Sequence, residues 1–201
     1  MAAEPTGRRE ARDFGEAVVF DRRFEAGIDE VWGSITESAQ LQQWVGEWTG
    51  DPGGGSVQFR MTAEGDDVPA ETVYLDECSA PSRLRARIYM GGGPDGDENG
   101  PGESGPGDEW HWEITLAQAA GVTTLTFAQS VGGSIPVSDV APGWEYYLDR
   151  LAAYLAGEDV SAINFERDYH PAQCEFYAAL FAEAGADRLP STVERRNAPI
   201  S

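Results

Sequence analysis

Residues 141–157 read APGWEYYLDRLAAYLAG, and their periodicity decides the fold. Trp144, Leu148, Leu151 and Leu155 recur at helical spacing along one face, with Tyr147 and Tyr154 on its flank. Glu145, Asp149 and Arg150 fall on the other side. Pro142 suits a first helical position and Gly157 the left-handed residue past the last turn. A helix of roughly 15 residues spans about 22 Å, enough to cross a small sheet.

The segments upstream read as that sheet. Val18, Phe20 and Phe24 alternate with polar residues over 16–25, with Arg22 breaching the apolar face. Two short helices follow, the first with Ile28, Val31, Trp32 and Ile35 on one face, the second opening at Ser38 and leading to Leu41 and Trp44. After the turn GDPGGG (50–55), Val57, Phe59 and Met61 share one side of a strand. Residues 70–78 form a strand whose faces are both mixed, so its register is open. In 83–90 Leu84, Ala86, Ile88 and Met90 alternate with Arg83, Arg85 and Arg87, an arginine stripe read as a solvated outer face. Trp110, Trp112, Ile114 and Leu116 align on the next strand, and Leu125 and Phe127 on the last. Strand, two short helices, antiparallel strands and a long C-terminal helix make an α+β arrangement.

Around this unit, residues 1–14 lack periodicity and are expected to be a disordered arm. The domain is expected over 15–158 and a helical extension over 159–185, with Cys174, Tyr177, Ala178 and Phe181 on one face. Residues 186–201 are expected to be a flexible tail, and the Gly/Pro/acidic stretch 91–108 a loop with nothing to bury.

Composition narrows function by exclusion. The 201 residues carry a net charge of −21, which opposes nucleic-acid phosphates and anionic membranes. All fourteen basic residues are arginine. No apolar run approaches a membrane span and no secretory leader is evident, so the expected location is the cytoplasm. Two cysteines, Cys78 and Cys174, cannot form a disulfide framework and are expected as free thiols.

Several segments together resemble a known family. FEAGIDEVWGSITESAQLQQW (24–44), ECSAPSRL (77–84), TTLTF (123–127) and PGWEYYLDRLAAYLAG (142–157) are similar to the START-like, or SRPBCC, helix-grip superfamily. The branch they resemble is that of the activator of heat-shock protein 90 ATPase. Ala80 stands where that branch has the first of two prolines. The resemblance covers residues 16–157 and implies an antiparallel sheet wrapped around the long helix, with an apolar cavity between them. Its members include hydrophobic-ligand carriers, polyketide cyclases, stress-linked proteins and co-chaperone domains, and fold does not choose among them.

The aromatic set gives the site expectation. Trp144, Leu148 and Leu151 should face Phe59, Met61, Trp110, Trp112 and Phe127, with Trp32 and Trp44 at one end. These residues enclose either a plain aromatic core or a pocket for a flat, greasy ligand, and the resemblance favours the pocket. No catalytic residue, metal or cofactor is assigned. His111, between two inward tryptophans, should point outward; the reversed register would bring His111 and Glu113 inside as an acid–base pair. His170 and Cys174 are four apart and could share one helical face, but two ligands make no metal site. The DGDENG run at 95–100 opens like a calcium loop, yet Pro106 occupies the position of the closing Glu. The expected function is non-catalytic binding of a small hydrophobic molecule, with loops 91–108 and 131–140 as its gate. The alternatives are a protein-interaction module of the co-chaperone kind and a cyclase-like enzyme. Nucleic-acid and membrane partners are not expected, and the chain reads as a monomer or homodimer.

Overall fold

The computed structural model of the chain describes residues 3–65, 68–90 and 108–182. Eight strands form one antiparallel sheet: β1 (Arg8–Arg12), β2 (Gly15–Phe24), β3 (Glu47–Thr49), β4 (Ser56–Arg60), β5 (Glu71–Ser79), β6 (Arg83–Met90), β7 (Asp108–Ala119) and β8 (Val122–Ser130). Their spatial order is β1-β2-β8-β7-β6-β5-β4-β3. Helices α1 (Ile28–Thr36) and α2 (Ser38–Leu41) link β2 to β3. The long helix α3 (Val137–Leu155) follows β8, and α4 (Phe165–Asp168) and α5 (Cys174–Ala182) come after it. Among the described residues no helix is long and apolar enough to cross a membrane.

Period-two alternation places the core. From β2, Val18, Phe20 and Phe24 join Leu116, Leu125 and Phe127 of β7 and β8 beneath Leu148 and Leu151 of α3. The outer face carries the charges. Arg83 pairs with Glu113 at 2.7 Å, Arg85 with Asp13 at 2.9 Å and Arg87 with Asp76 at 2.8 Å. The arginine stripe is thus on the outer face, but tied into ion pairs.

In β5 the register shifts between Leu75 and Glu77, so that Asp76 has no partner across the ladder. A bulge of this kind reverses the faces beyond it. Val73, Leu75 and Cys78 consequently turn to the same side, which no strict alternation predicts.

Three expectations need correction. The long helix begins at Val137, not at Pro142, which lies inside it and is fully buried. As the sixth residue of the helix it has no N–H to give the Ser138 carbonyl, so the helix forgoes one bond in its second turn. Gly157 does adopt the left-handed conformation, at φ 69°. Residues 1–14 are not a free arm: from Arg8 they form the edge strand β1, paired in register with residues 15–19 of β2. The 186–201 tail and most of the 91–108 loop, including its calcium-like run, lie outside the described residues.

A buried carboxylate of α3 accounts for the order of the N-terminal segment. Glu145, assigned to the polar side of the helix, is only 1% exposed. Its carboxylate pairs with Arg22, the breach in the apolar face of β2. It also accepts hydrogen bonds from the Thr6 and Gly7 backbone N–H groups and from the Tyr177 hydroxyl of α5. Arg22 bonds Asp149 as well, at 3.0 Å, and Tyr169 donates to Asp149 at 2.8 Å. One buried carboxylate therefore fastens the N-terminal segment and α5 to α3. Gly7 is required by this closeness, since a Cβ there would lie 2.7 Å from Phe20 and Tyr177. Burial alone would push the Glu145 carboxyl up, but the bonds from Tyr177 and Thr6 and the charge of Arg22 outweigh it and lower its pKa.

Glu145→Ala would remove the more buried of the two carboxylates that pair with Arg22, leaving Asp149, and we expect a loss of about 3 kcal/mol in urea denaturation. The lowered pKa fixes the sign of the acid response. The pair's contribution is complete above the ordinary carboxylate range and is lost as pH falls through the depressed value. Glu145→Gln should flatten that part of the stability-versus-pH curve; an unchanged curve would contradict the assignment.

Candidate functional site: a cavity beneath the long helix

The core is not filled. A cavity of about 310 Å³ lies between α3 and the sheet, closed at one end by α1 and α2. The helix contributes Trp144, Leu148 and Leu151, and β7 and β8 contribute Trp112, Ile114, Leu125 and Phe127. From β4 to β6 come Val57, Phe59, Val73, Leu75, Leu84 and Ala86. Trp32, Trp44 and Trp48 line the remaining end.

Eight of the ten expected residues, Trp32, Trp44, Phe59, Trp112, Phe127, Trp144, Leu148 and Leu151, therefore meet around one volume. Met61 and Trp110 do not. They line a neighbouring pocket of about 540 Å³, on the other side of a partition made by Phe59, Trp112 and Trp144. Alternation gives both the expected side of the sheet, but Met61 lies past the end of β4 and Trp110 lies beyond Trp112 along β7. The second pocket is the larger, yet it includes Glu71, Asp139 and the half-buried Tyr146. The first is walled by Leu125, Phe127, Leu148 and Leu151, none of which reaches even 4% exposure, and is the more apolar site.

How the tryptophans point matters more than their number. Gln129 of β8, fully buried, accepts the indole N–H of Trp112 at 3.1 Å and that of Trp144 as well. Trp44 donates to the Ser34 carbonyl at 2.8 Å, and Trp48 to the Thr36 carbonyl at 2.9 Å. These four indoles spend their donors on the protein and offer the cavity carbon. Trp112 and Trp144 meet edge to face at 5.5 Å, and Trp144 leans on Phe127 at 4.2 Å. Such contacts hold aromatic rings in one orientation. Apart from the indoles, Thr36 and Cys78 supply the polar side chains of the lining, and the Thr36 hydroxyl already donates to the Trp32 carbonyl at 2.7 Å.

Pro52 and Cys78 are the exposed members of the lining, so the opening lies by the β3–β4 turn and the end of β5. It does not lie at 131–140, the expected gate: Asp139 and Val140 belong to α3 and line the second pocket. Helix α5 packs on the α3 of its own chain, with Tyr177 against Phe20, rather than over this opening.

His111 and Glu113 are on the outer face. His111 stacks on Phe14 at 5.3 Å, and Glu113 is held by Arg83 and Arg12. The sheet separates both from the cavity. Gln129 was not singled out from sequence, although period two from Leu125 and Phe127 puts it on the buried face. Trp48 was missed because β3 is three residues long.

Fold and cavity define a helix-grip protein, and comparison with known proteins names its family. The sequence model of the family described as "Activator of Hsp90 ATPase homolog 1-like protein" matches residues 25–156, and the chain belongs to that family. No curated protein matches the sequence. Among solved structures, CalU16 from Micromonospora echinospora is similar at 22% identity and a TM-score of 0.61, over 90% of this chain and 98% of its own. EF2215 from Enterococcus faecalis, a protein of unknown function, matches at 17% identity and a TM-score of 0.59, over 88% and 91%. DynU16, a protein in the dynemicin biosynthetic locus, is 25% identical over 72% of this chain and 49% of its own, with a TM-score of 0.50.

Gln129→Leu removes the shared acceptor of two indoles while keeping the side chain's bulk. A loss of about 2 kcal/mol in chemical denaturation is expected, together with altered tryptophan fluorescence of the folded state. A neutral substitution would mean that the two indole bonds do not hold the partition.

Proposed function

We propose that this protein binds one small hydrophobic molecule in the cavity beneath α3, in the cytoplasm and without chemistry of its own. The observation that carries the reading is a void of about 310 Å³ lined by ring faces and aliphatic side chains. Small-molecule sites begin at roughly 300 Å³. Left empty, 310 Å³ forfeits about 7 kcal/mol relative to a packed core, at ~24 cal/mol per Å³. That is comparable with the whole stability of a domain, about 5–15 kcal/mol. Water is a poor tenant, because it needs two or more polar partners and the wall offers almost none. An apolar ligand recovers the lost contacts.

The non-catalytic part rests on the same wall. Among the described lining residues there is no carboxylate, imidazole or ammonium to move a proton, and the pair weighed for that task, His111 and Glu113, lies across the sheet. DynU16's place in a biosynthetic locus supports a small molecule as the occupant. The family's description favours a second reading, a co-chaperone-like module whose acidic surface meets a protein. It leaves the cavity without a use, and for that reason we rank it second.

Two substitutions test the reading against a panel of flat aromatic compounds and medium-chain fatty acids. Ala86→Phe projects a ring into the void and should abolish the ligand-induced rise in melting temperature while the fold is kept, as read by circular dichroism. Trp144→Ala should weaken binding at least about tenfold by removing one wall. No binding to the unaltered protein, or undiminished binding to Ala86→Phe, would overturn the proposal.

A further inference from the structure

Outside the cavity, three side chains of different chemistry converge where the C-terminal segment meets the start of the long helix. Asp139 stands in the first turn of α3, His170 follows α4, and Cys174 opens α5. One carboxylate oxygen, one imidazole nitrogen and the sulfur all lie within 4.8 Å of one another. Asp139 and His170 are 4.0 Å apart, too far for a hydrogen bond. The three groups thus face a common point without bonding across it.

We propose that Asp139, His170 and Cys174 bind one zinc ion. Zinc bonds of ~2.0–2.3 Å in a tetrahedron set ligand atoms ~3.3–3.8 Å apart, so a contraction of about 1 Å completes the triangle. Asp139 is exposed and the other two are half-buried, which leaves the side chains room for that adjustment. His170 is steadied by stacking on Phe165 at 5.6 Å. A thiolate, an imidazole and a carboxylate together suit zinc, whereas magnesium and calcium take oxygen ligands only. The net charge of −21 adds a field that draws dications to the surface. Sequence spacing supplied His170 and Cys174, and the fold supplies the third ligand, Asp139, from the first turn of α3.

The ion would clamp the start of α5 to the first turn of α3. Three protein ligands leave a fourth position for water or an anionic ligand. Asp139 and Phe165 both line the second pocket, so the ion would sit at that pocket's rim.

The test uses the full-length protein freed of metal by chelator and dialysis. Zinc is titrated calorimetrically in the presence of excess magnesium and calcium, which occupy unspecific acidic positions. One zinc per chain is expected, weakened at least about tenfold by each of Asp139→Asn, His170→Ala and Cys174→Ser. Cobalt replaces zinc as a spectroscopic probe: its sulfur-to-metal absorption band should vanish in Cys174→Ser and persist in Cys78→Ser. Absence of a saturable zinc site, affinity indifferent to the three substitutions, or a cobalt band that depends on Cys78 would each overturn the proposal.

Discussion

A guanidinium and a carboxylate buried together set the height and tilt of the helix that the sheet surrounds. Arg22 of β2 and Glu145 of α3 could each be afforded below the surface only with several partners, and both have them: Thr6, Gly7 and Tyr177 for the carboxylate, Asp149 for the guanidinium. Removing a charge from water is expensive unless its hydrogen bonds are replaced. The replacement here comes from the two residues ahead of β1, the long helix and α5 at once. This pair therefore ties the Thr6–Gly7 segment and α5 to the long helix.

Anchoring at one stripe of the helix leaves the neighbouring stripe free. Glu145 and Asp149 face β2, while Trp144, Leu148 and Leu151 overhang the middle strands. The helix is held at the β2 side, and the span toward β4 and β5 is too wide for its side chains to fill. The large rings that enter that span are kept from collapsing into it: Gln129 pins two indoles, and the carbonyls of Ser34 and Thr36 pin two more. A polar network thus serves to keep an apolar space open, which is the reverse of its role in a solid core.

Much of this was legible in the residues. Strands with one wet face announce themselves by alternation, and the long helix by its stripe and its terminal glycine. Eight of ten wall residues followed from those two periods together with the family resemblance, which supplied the sheet wrapped around the helix. What stayed hidden had physical reasons. β1, read as RREAR, has charge on both faces, and its order depends on Glu145, far along the chain. Glu145 stands only ~100° around the helix from Trp144, at the border of the apolar face, where pattern alone cannot tell flank from core. Arg22 was visible as a breach, but its partner was not. The bulge at Asp76 erased the alternation of β5, and a three-residue strand such as β3 carries no period at all. Gln129 was within reach, because a polar residue in phase with Leu125 and Phe127 must be either a mistake or a hydrogen-bonding post.

An occupied void under α3 is what separates a ligand-binding protein from one with an unused cavity. Native mass spectrometry of the gently purified protein, before and after organic extraction, tests that most directly. An extra mass of a few hundred daltons that extraction removes, and that is missing from Ala86→Phe prepared in the same way, is the predicted result. A bare protein mass, unchanged after incubation with the aromatic and fatty-acid panel, would contradict it.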